Sequence, residues 1–266
     1  MTSPVTVAPS SWACFAPHAF EDQVTLITGA AGGMGREVAR AFRELGSTVV
    51  LTDVDGEAVA KVTADLSGEA PAAAVTLDVA DAAAVAAVFE QVGADYGRID
   101  NVISCAAIIT AKKALDITPE HWKRVLDINL LGSFYVCQEA VRRMKAQGFG
   151  RIVAVASDAG KRGGGGLVAD AAYAASKAGV LSIVKSLARE FAGTGVRINA
   201  LTPGPTDTPM HGGLSYELKD RIAAGLPIGR MGHPNDMAAA AVFLCSDAAN
   251  FVYGASLNVD GGSMFE

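Results

Sequence analysis

Long apolar runs are missing from this sequence: none approaches the roughly 20 residues that a bilayer-spanning helix needs. The first 20 residues also lack a basic stretch followed by an apolar one, so no secretory signal is expected there. Cysteine is scarce. Cys14, Cys105, Cys137 and Cys245 are scattered without the spacing of a disulfide framework or a metal site, which predicts reduced thiols in a cytoplasmic protein. With no zinc-ligand set visible, no metal is expected. Positive charge is outweighed, with 22 Lys and Arg against 28 Asp and Glu and a formal net charge of −6. That balance argues against nucleic acid or an anionic membrane surface as a partner. Linkers, charge blocks, repeats and low-complexity segments are absent too, so nothing divides the chain.

What is there is small and apolar. Half the residues are hydrophobic, only 6% are aromatic, and Ala, Val and Gly are abundant. This is the composition of helices packed tightly on a parallel sheet. At 266 residues the chain can build one large core.

Strand-like and helix-like segments alternate. Gln23 to Thr28, Ser47 to Thr52, Ala73 to Leu77, Asn101 to Cys105, Arg151 to Ala156, Arg197 to Leu201 and Ala255 to Val259 read as strands. Helical patterns cover Asp81 to Tyr96, Glu120 to Lys145, Ala171 to Phe191 and Asn235 to Ser246. Repeated units of this kind predict an α/β fold: one Rossmann domain over 21–266, a doubly wound parallel sheet with helices on both faces. Residues 1–20, with Pro4, Pro9 and Pro17, read as a loose extension.

The first strand runs into Gly29-Ala30-Ala31-Gly32-Gly33-Met34-Gly35, and a helical pattern follows. Strand, glycine turn, helix is the context of a dinucleotide-binding fingerprint, although the spacing is G-x-x-x-G-x-G. Glycines let the backbone approach a pyrophosphate, and the helix N-terminus offers free N–H groups. The second strand ends on Asp53, where a carboxylate can accept hydrogen bonds from adenosine ribose hydroxyls and repel a 2′-phosphate. The cofactor expected is therefore NAD; capping of the segment from Asp55 is the alternative use of Asp53.

Tyr173 and Lys177 stand one helical turn apart. An ammonium beside a phenol favours phenolate, which predicts a lowered tyrosine pKa and a proton donor or acceptor for carbonyl reduction or alcohol oxidation. Ser157 ends a strand upstream of this pair, and Asn129 occupies a position inside a helix that its side chain disfavours.

With these residues in place, the chain resembles the short-chain dehydrogenase/reductase family along nearly its whole length. The matching motifs come in order: Thr28-Gly29 through Gly35, Asp53, Asp78-Val79, Asn129, Ser157, Tyr173-x-x-x-Lys177, Pro203-Gly204 and Val259-Asp260-Gly261-Gly262. The resemblance implies a catalytic tetrad. Tyr173 would be the acid/base and Ser157 would bond the substrate oxygen. Lys177 would hold the nicotinamide ribose, and Asn129 would hold a water linking Lys177 to solvent. It also implies cofactor contacts from Gly29, Gly32, Gly33, Met34, Gly35, Asp53 and Val54 on the phosphate and ribose side, and from Asp78 and Val79 at the adenine. Cys105, Ala106 and Ala107 would add backbone contacts, and Pro203, Gly204, Thr206 and Thr208 would lie along the nicotinamide. The partner implied is a small alcohol or ketone, and the assembly a homotetramer through the helices at Glu120 to Lys145 and Ala171 to Phe191.

Two departures stand out. Ser104-Cys105-Ala106-Ala107 replaces the family's Asn-Asn-Ala-Gly, so Ser104 takes over a sheet-supporting role and Ala107 adds a methyl. The stretch from Ser157 to Tyr173 is longer than the family's commonest form and holds Lys161, Arg162 and the Gly163 to Gly166 run. It is expected to form a flexible loop beside the substrate, with Lys161 and Arg162 expected to be solvated and contact with a charged substrate the lesser alternative. The segment of about 205–229 is expected to cover the substrate, with Met210, His211, Leu214, Tyr216 and Leu218 as wall candidates. The reading is an NAD-dependent enzyme interconverting a secondary alcohol and its ketone. The alternatives are an NADP-dependent 3-oxoacyl-thioester reductase and a catalytically silent dinucleotide-binding regulator.

Overall fold

Strands and helices alternate from the first strand onward in the computed structural model, which describes residues 12–164, 169–209 and 214–265. The first half runs β1 (Val24–Thr28), α1 (Gly33–Glu44), β2 (Thr48–Asp53), α2 (Gly56–Asp65), β3 (Ala72–Thr76), α3 (Ala82–Tyr96) and β4 (Asn101–Ser104). The second half begins with α4 (Pro119–Leu126), α5 (Gly132–Gln147), β5 (Gly150–Val155), α6 (Ala159–Arg162) and α7 (Ala171–Glu190). It closes with β6 (Val196–Pro203), α8 (Tyr216–Ala224), α9 (Pro234–Cys245) and β7 (Ser256–Val259). The strands form one seven-stranded sheet in the order β3-β2-β1-β4-β5-β6-β7. Every pairing is parallel. This is the doubly wound Rossmann arrangement that the alternating pattern predicts.

The central strands β1, β4, β5 and β6 are buried at every position, polar ones such as Thr25, Asn101, Arg151, Arg197 and Asn199 included. Their side chains still alternate between two cores. Leu26, Val102, Ile152 and Ile198 face one, closed by α3, α5 and α7 through Phe89, Met144 and Val184. Ile27, Ile103, Val153 and Leu201 face the other, closed by α1 and α9 through Phe42 and Val242. The order reverses between β1 and β4, and a crevice opens there past the strands' C-terminal ends.

Besides α6, a short helix in the stretch expected to be a flexible loop, the structure corrects the sequence reading in three further places. The helix expected over Glu120 to Lys145 is interrupted by a π-helical turn at Asp127–Leu131, between α4 and α5. Asn129 is at its centre, and its side chain bonds backbone outside the helix. Inside the 205–229 segment an unforeseen helix, α8, starts at Ser215, whose side chain accepts from Leu218 N. The third correction concerns the supposedly loose extension, of which residues 1–11 lie outside the described part. From Trp12 on it is anchored by Trp12 and Phe20, while most residues between them are exposed. Trp12 is 2% exposed and Phe20 1%. The Trp12 indole N–H donates to Glu44 at 2.9 Å, Arg40 stacks over its ring, and Phe20 meets Phe42 edge-on. Aromatic burial thus outweighs the prolines that mark the segment as irregular.

Trp12→Ala should accordingly cost about 3 kcal/mol, the usual loss for a buried large aromatic. Urea denaturation measures it. A loss below about 1 kcal/mol would mean that the extension contributes nothing to the core.

Candidate active site

The crevice is built first by the β1–α1 turn. Gly29 has φ +67°, and a Cβ there would lie 2.7 Å from Ala106 Cα, so only glycine lets this turn pass the end of β4. Gly33 is similarly tight: a Cβ would lie 2.8 Å from Pro209 Cδ, so the loop after β6 crosses the start of α1. The N-cap of α1, Gly32, supplies no side-chain hydrogen bond, and no acidic residue sits in the first turn. The first N–H groups and the positive end of the helix dipole are thereby left for an anionic ligand. Asp53, at the end of β2, accepts from Ala31 N at 3.1 Å and from Asp55 N at 3.2 Å. The capping alternative falls to its neighbour, since Asp55 is the residue that caps α2. A side-chain-free phosphate cradle beside a fixed carboxylate fits a nicotinamide dinucleotide.

The second half of the site comes from β5 and α7. Ser157 follows β5, and its hydroxyl donates to Asp158 Oδ1 at 3.2 Å. Helix α7 is capped by Asp170, whose carboxylate accepts from Tyr173 N at 2.9 Å and lies 3.0 Å from His121 Nε2. That cap fixes the first turn, on which Tyr173 sits. One turn later Lys177 is 2% exposed, with Nζ donating to the Val155 carbonyl at 2.8 Å and 5.9 Å from the Tyr173 ring centre. Asn129 is fully buried. Its amide accepts from Ile108 N at 2.8 Å, donates to Ile108 O at 2.9 Å and reaches Ser176 Oγ at 3.2 Å. Its side chain therefore joins the π turn to the loop after β4 and to α7.

Electrostatics here run against the simplest expectation. Burial pushes the Tyr173 phenol up to about 12; a hydrogen bond with Ser157 pulls it down and the Asp158 charge raises it further. The lowering predicted from Lys177 is not what the ligand-free site does. Burial also depresses the Lys177 ammonium, to about 8, with Cys105 opposing that shift. The phenol is held as a proton donor. Cys105 is likewise held as a thiol, since burial raises it to about 12 against a lowering by Lys177.

One cavity of about 560 Å³ collects most of the predicted residues. Gly29, Gly32, Gly33, Met34, Gly35 and Asp53 line one end; Cys105, Ala107, Ser157, Tyr173, Lys177, Pro203, Gly204, Thr206 and Thr208 line the rest. Asn129, Val54, Asp78, Val79 and Ala106 are not in its wall. Val54 is 67% exposed, the Asp78 carboxylate accepts from Ala80 N, and Val79 packs against Gly132. Ala106 gives its N–H to Thr28 Oγ1. Of the expected substrate-wall residues, Met210 and His211 lie outside the described part, as do Gly165 and Gly166. Tyr216 is 85% exposed, and the wall comes instead from Ile109, Ala159, Pro209, Ile222 and Met231. Sequence reasoning also missed Asp158 and Asp170. The Asp-x-x-Tyr spacing of an N-cap was the available signal for the second; nothing local marks the first.

Among the described residues no helix is long and apolar enough to cross a membrane, and no group of acidic, His and Cys side chains could hold a metal. A family model described as enoyl-(acyl carrier protein) reductase matches residues 29–264. A cis-4-hydroxycyclohexanecarboxylate dehydrogenase from Sinomonas cyclohexanicum is 39% identical over 248 residues, covering 92% of this chain and 98% of that protein. A 3-oxoacyl-acyl-carrier-protein reductase from Aquifex aeolicus is 34% identical over 244 residues, covering 91% and 97%. Among solved structures, a glucose/ribitol-type dehydrogenase from Brucella melitensis superposes with a TM-score of 0.87 at 32% identity, over 94% of this chain and 100% of that one.

Because burial dominates at Tyr173, an ultraviolet titration of the ligand-free protein minus Tyr173→Phe should show no phenolate below about pH 10, where an ordinary tyrosine is half ionised. A difference signal centred near about pH 9 would show instead that the Lys177 charge prevails.

Proposed function

The chain belongs to the short-chain dehydrogenase/reductase family, and on that footing we propose that it interconverts a secondary alcohol and its ketone with NAD(H). As an oxidoreductase acting on CH–OH groups it has dehydrogenase relatives; the preference for NAD and the roles of single residues are our reading. The observation that carries it is one shared cavity. Tyr173, Ser157 and Lys177 open into the same space as the phosphate cradle and Asp53.

The nicotinamide ring, when bound, supplies or accepts the hydride at the alcohol carbon. Tyr173 moves the proton at the substrate oxygen, and its raised pKa keeps the phenol protonated, as the reduction direction requires. Ser157 holds that oxygen by turning its O–H away from Asp158. Lys177 is held by the Val155 carbonyl and presents its remaining donors to the ribose. Asn129 supports this arrangement from behind, keeping α7 and the Ile108 segment in register. Asp53 supports NAD, because its carboxylate is held at the end of β2 beside the glycine turn, and a like charge such as a 2′-phosphate would be repelled there. An NADP-dependent 3-oxoacyl-thioester reductase would need a cation at that place. An apolar groove along Trp122, Leu126, Leu130 and Leu131 supports association of subunits through the α4–α5 region.

Tyr173→Phe should lower turnover by about 10²–10⁴-fold, the range for a lost general acid/base. NADH affinity, followed by fluorescence, should stay within a few-fold. Turnover near wild type would remove Tyr173 from the reaction. Separately, Asp53→Ala should shrink the ratio of kcat/KM for NAD over NADP by about tenfold or more, as expected when a like-charge contact worth over about 1 kcal/mol is removed. A wild-type preference for NADP would overturn the cofactor assignment.

A further inference from the structure

We infer that the alcohol substrate carries a carboxylate and that the guanidinium of Arg162 receives it. The inference rests on the alcohol-dehydrogenase reading above and assigns that site its substrate class.

Two basic residues precede the glycine run, and the structure separates them. Lys161 turns to β7, with Nζ on Asn258 Oδ1 at 2.9 Å, and is not in the cavity wall. Arg162 is in that wall, together with Ser157 and Tyr173. The difference follows from α6: residues four apart share a face, so Arg162 lies over Asp158 while Lys161 is rotated away.

The guanidinium is oriented and only half engaged. Its Nε donates to Asp158 Oδ2 at 3.0 Å, and its side chain is 54% exposed. Among the described residues its two terminal nitrogens have no partner. A guanidinium offers two forks, so a carboxylate on the Nε side leaves the terminal fork for a second one. Asp158 is itself braced, taking the hydroxyls of Ser157 and Ser263 at 3.2 Å each. The receptor is therefore set before a ligand arrives, which lowers the ordering cost of binding.

Charge balance points the same way. Around the Tyr173 end of the cavity stand Asp158, Arg162 and Lys177, one negative charge against two positive, while Asp53 belongs to the phosphate end. One anion completes the set. Ile109, Ala159, Ile222 and Met231 supply the rest of this wall. Such a surface suits the hydrocarbon ring or chain of a hydroxy acid, and it would leave most hydroxyls of a polyol without partners.

The test uses matched pairs: 3- and 4-hydroxycyclohexanecarboxylates against their carboxamides as substrates, and cyclohexanecarboxylate against cyclohexanecarboxamide as non-reacting ligands. The wild type should prefer acid over amide by about tenfold to a hundredfold in kcat/KM, the size of a hydrogen-bonded charge contact. Arg162→Met should collapse that ratio, mostly through KM, and Arg162→Lys should keep part of it. Calorimetric binding of cyclohexanecarboxylate to the protein should weaken about tenfold or more in Arg162→Met, with thermal melts confirming that the variant is folded. Equal use of acid and amide, or carboxylate binding unchanged in Arg162→Met, overturns the inference while the alcohol-dehydrogenase reading stands. Arg162-dependent carboxylate binding with no NAD-linked oxidation of any of these alcohols would uphold the anion receptor and count against the dehydrogenase reading.

Discussion

Lys177 carries its ammonium into the interior and donates a hydrogen bond to the carbonyl of Val155, the last residue of β5. This one bond ties α7 to the strand end from which Ser157, Asp158 and α6 depart. Tyr173 is placed by the same helix, one turn earlier, and the Asp170 cap prevents that turn from fraying. A charged group at 2% exposure is costly to bury, and the depressed lysine pKa is the direct expression of that cost. The site holds a cation where folding alone would favour a neutral side chain.

The rest of the cavity follows from sheet topology. Because strand order reverses between β1 and β4, the glycine turn after β1 and the segment after β4 meet edge to edge, and Gly29 passes against Ala106. The glycine turn and Tyr173 are then brought to one cavity by strands whose C-terminal ends all point the same way. The two ends differ in charge: a lone carboxylate at Asp53, and a mixed set with excess cation around Tyr173. Such an arrangement orients an elongated ligand as well as holding it.

The fold was legible because its determinants are local. Buried strands such as Val24–Thr28 and Gly150–Val155 are short and rich in β-branched residues, and the glycine turn and the Tyr173–Lys177 spacing are short-range patterns. The features that escaped reading depend on distant partners. The π turn is held by Ile108, far back in the chain from Asn129, and Trp12 is buried by α1, which it precedes. Lys161 and Arg162 look equivalent in sequence and differ only by 100° of helical rotation. The phenol pKa was misjudged because the pair was considered without the burial that both members share.

The π turn at Asp127–Leu131 also records how the chain length is spent. A ring closed over five residues takes up one more residue than an α-helical turn on the same path. A chain with one residue fewer between α4 and α5 could run as a single straight helix. It would then present a neighbouring side chain to Ile108, about 100° around the axis from the amide that now bonds it. Within this stretch a deletion and a substitution are therefore unequal events. A substitution alters one contact, whereas the deletion removes the bulge itself and leaves α5 on the register it already has against the sheet.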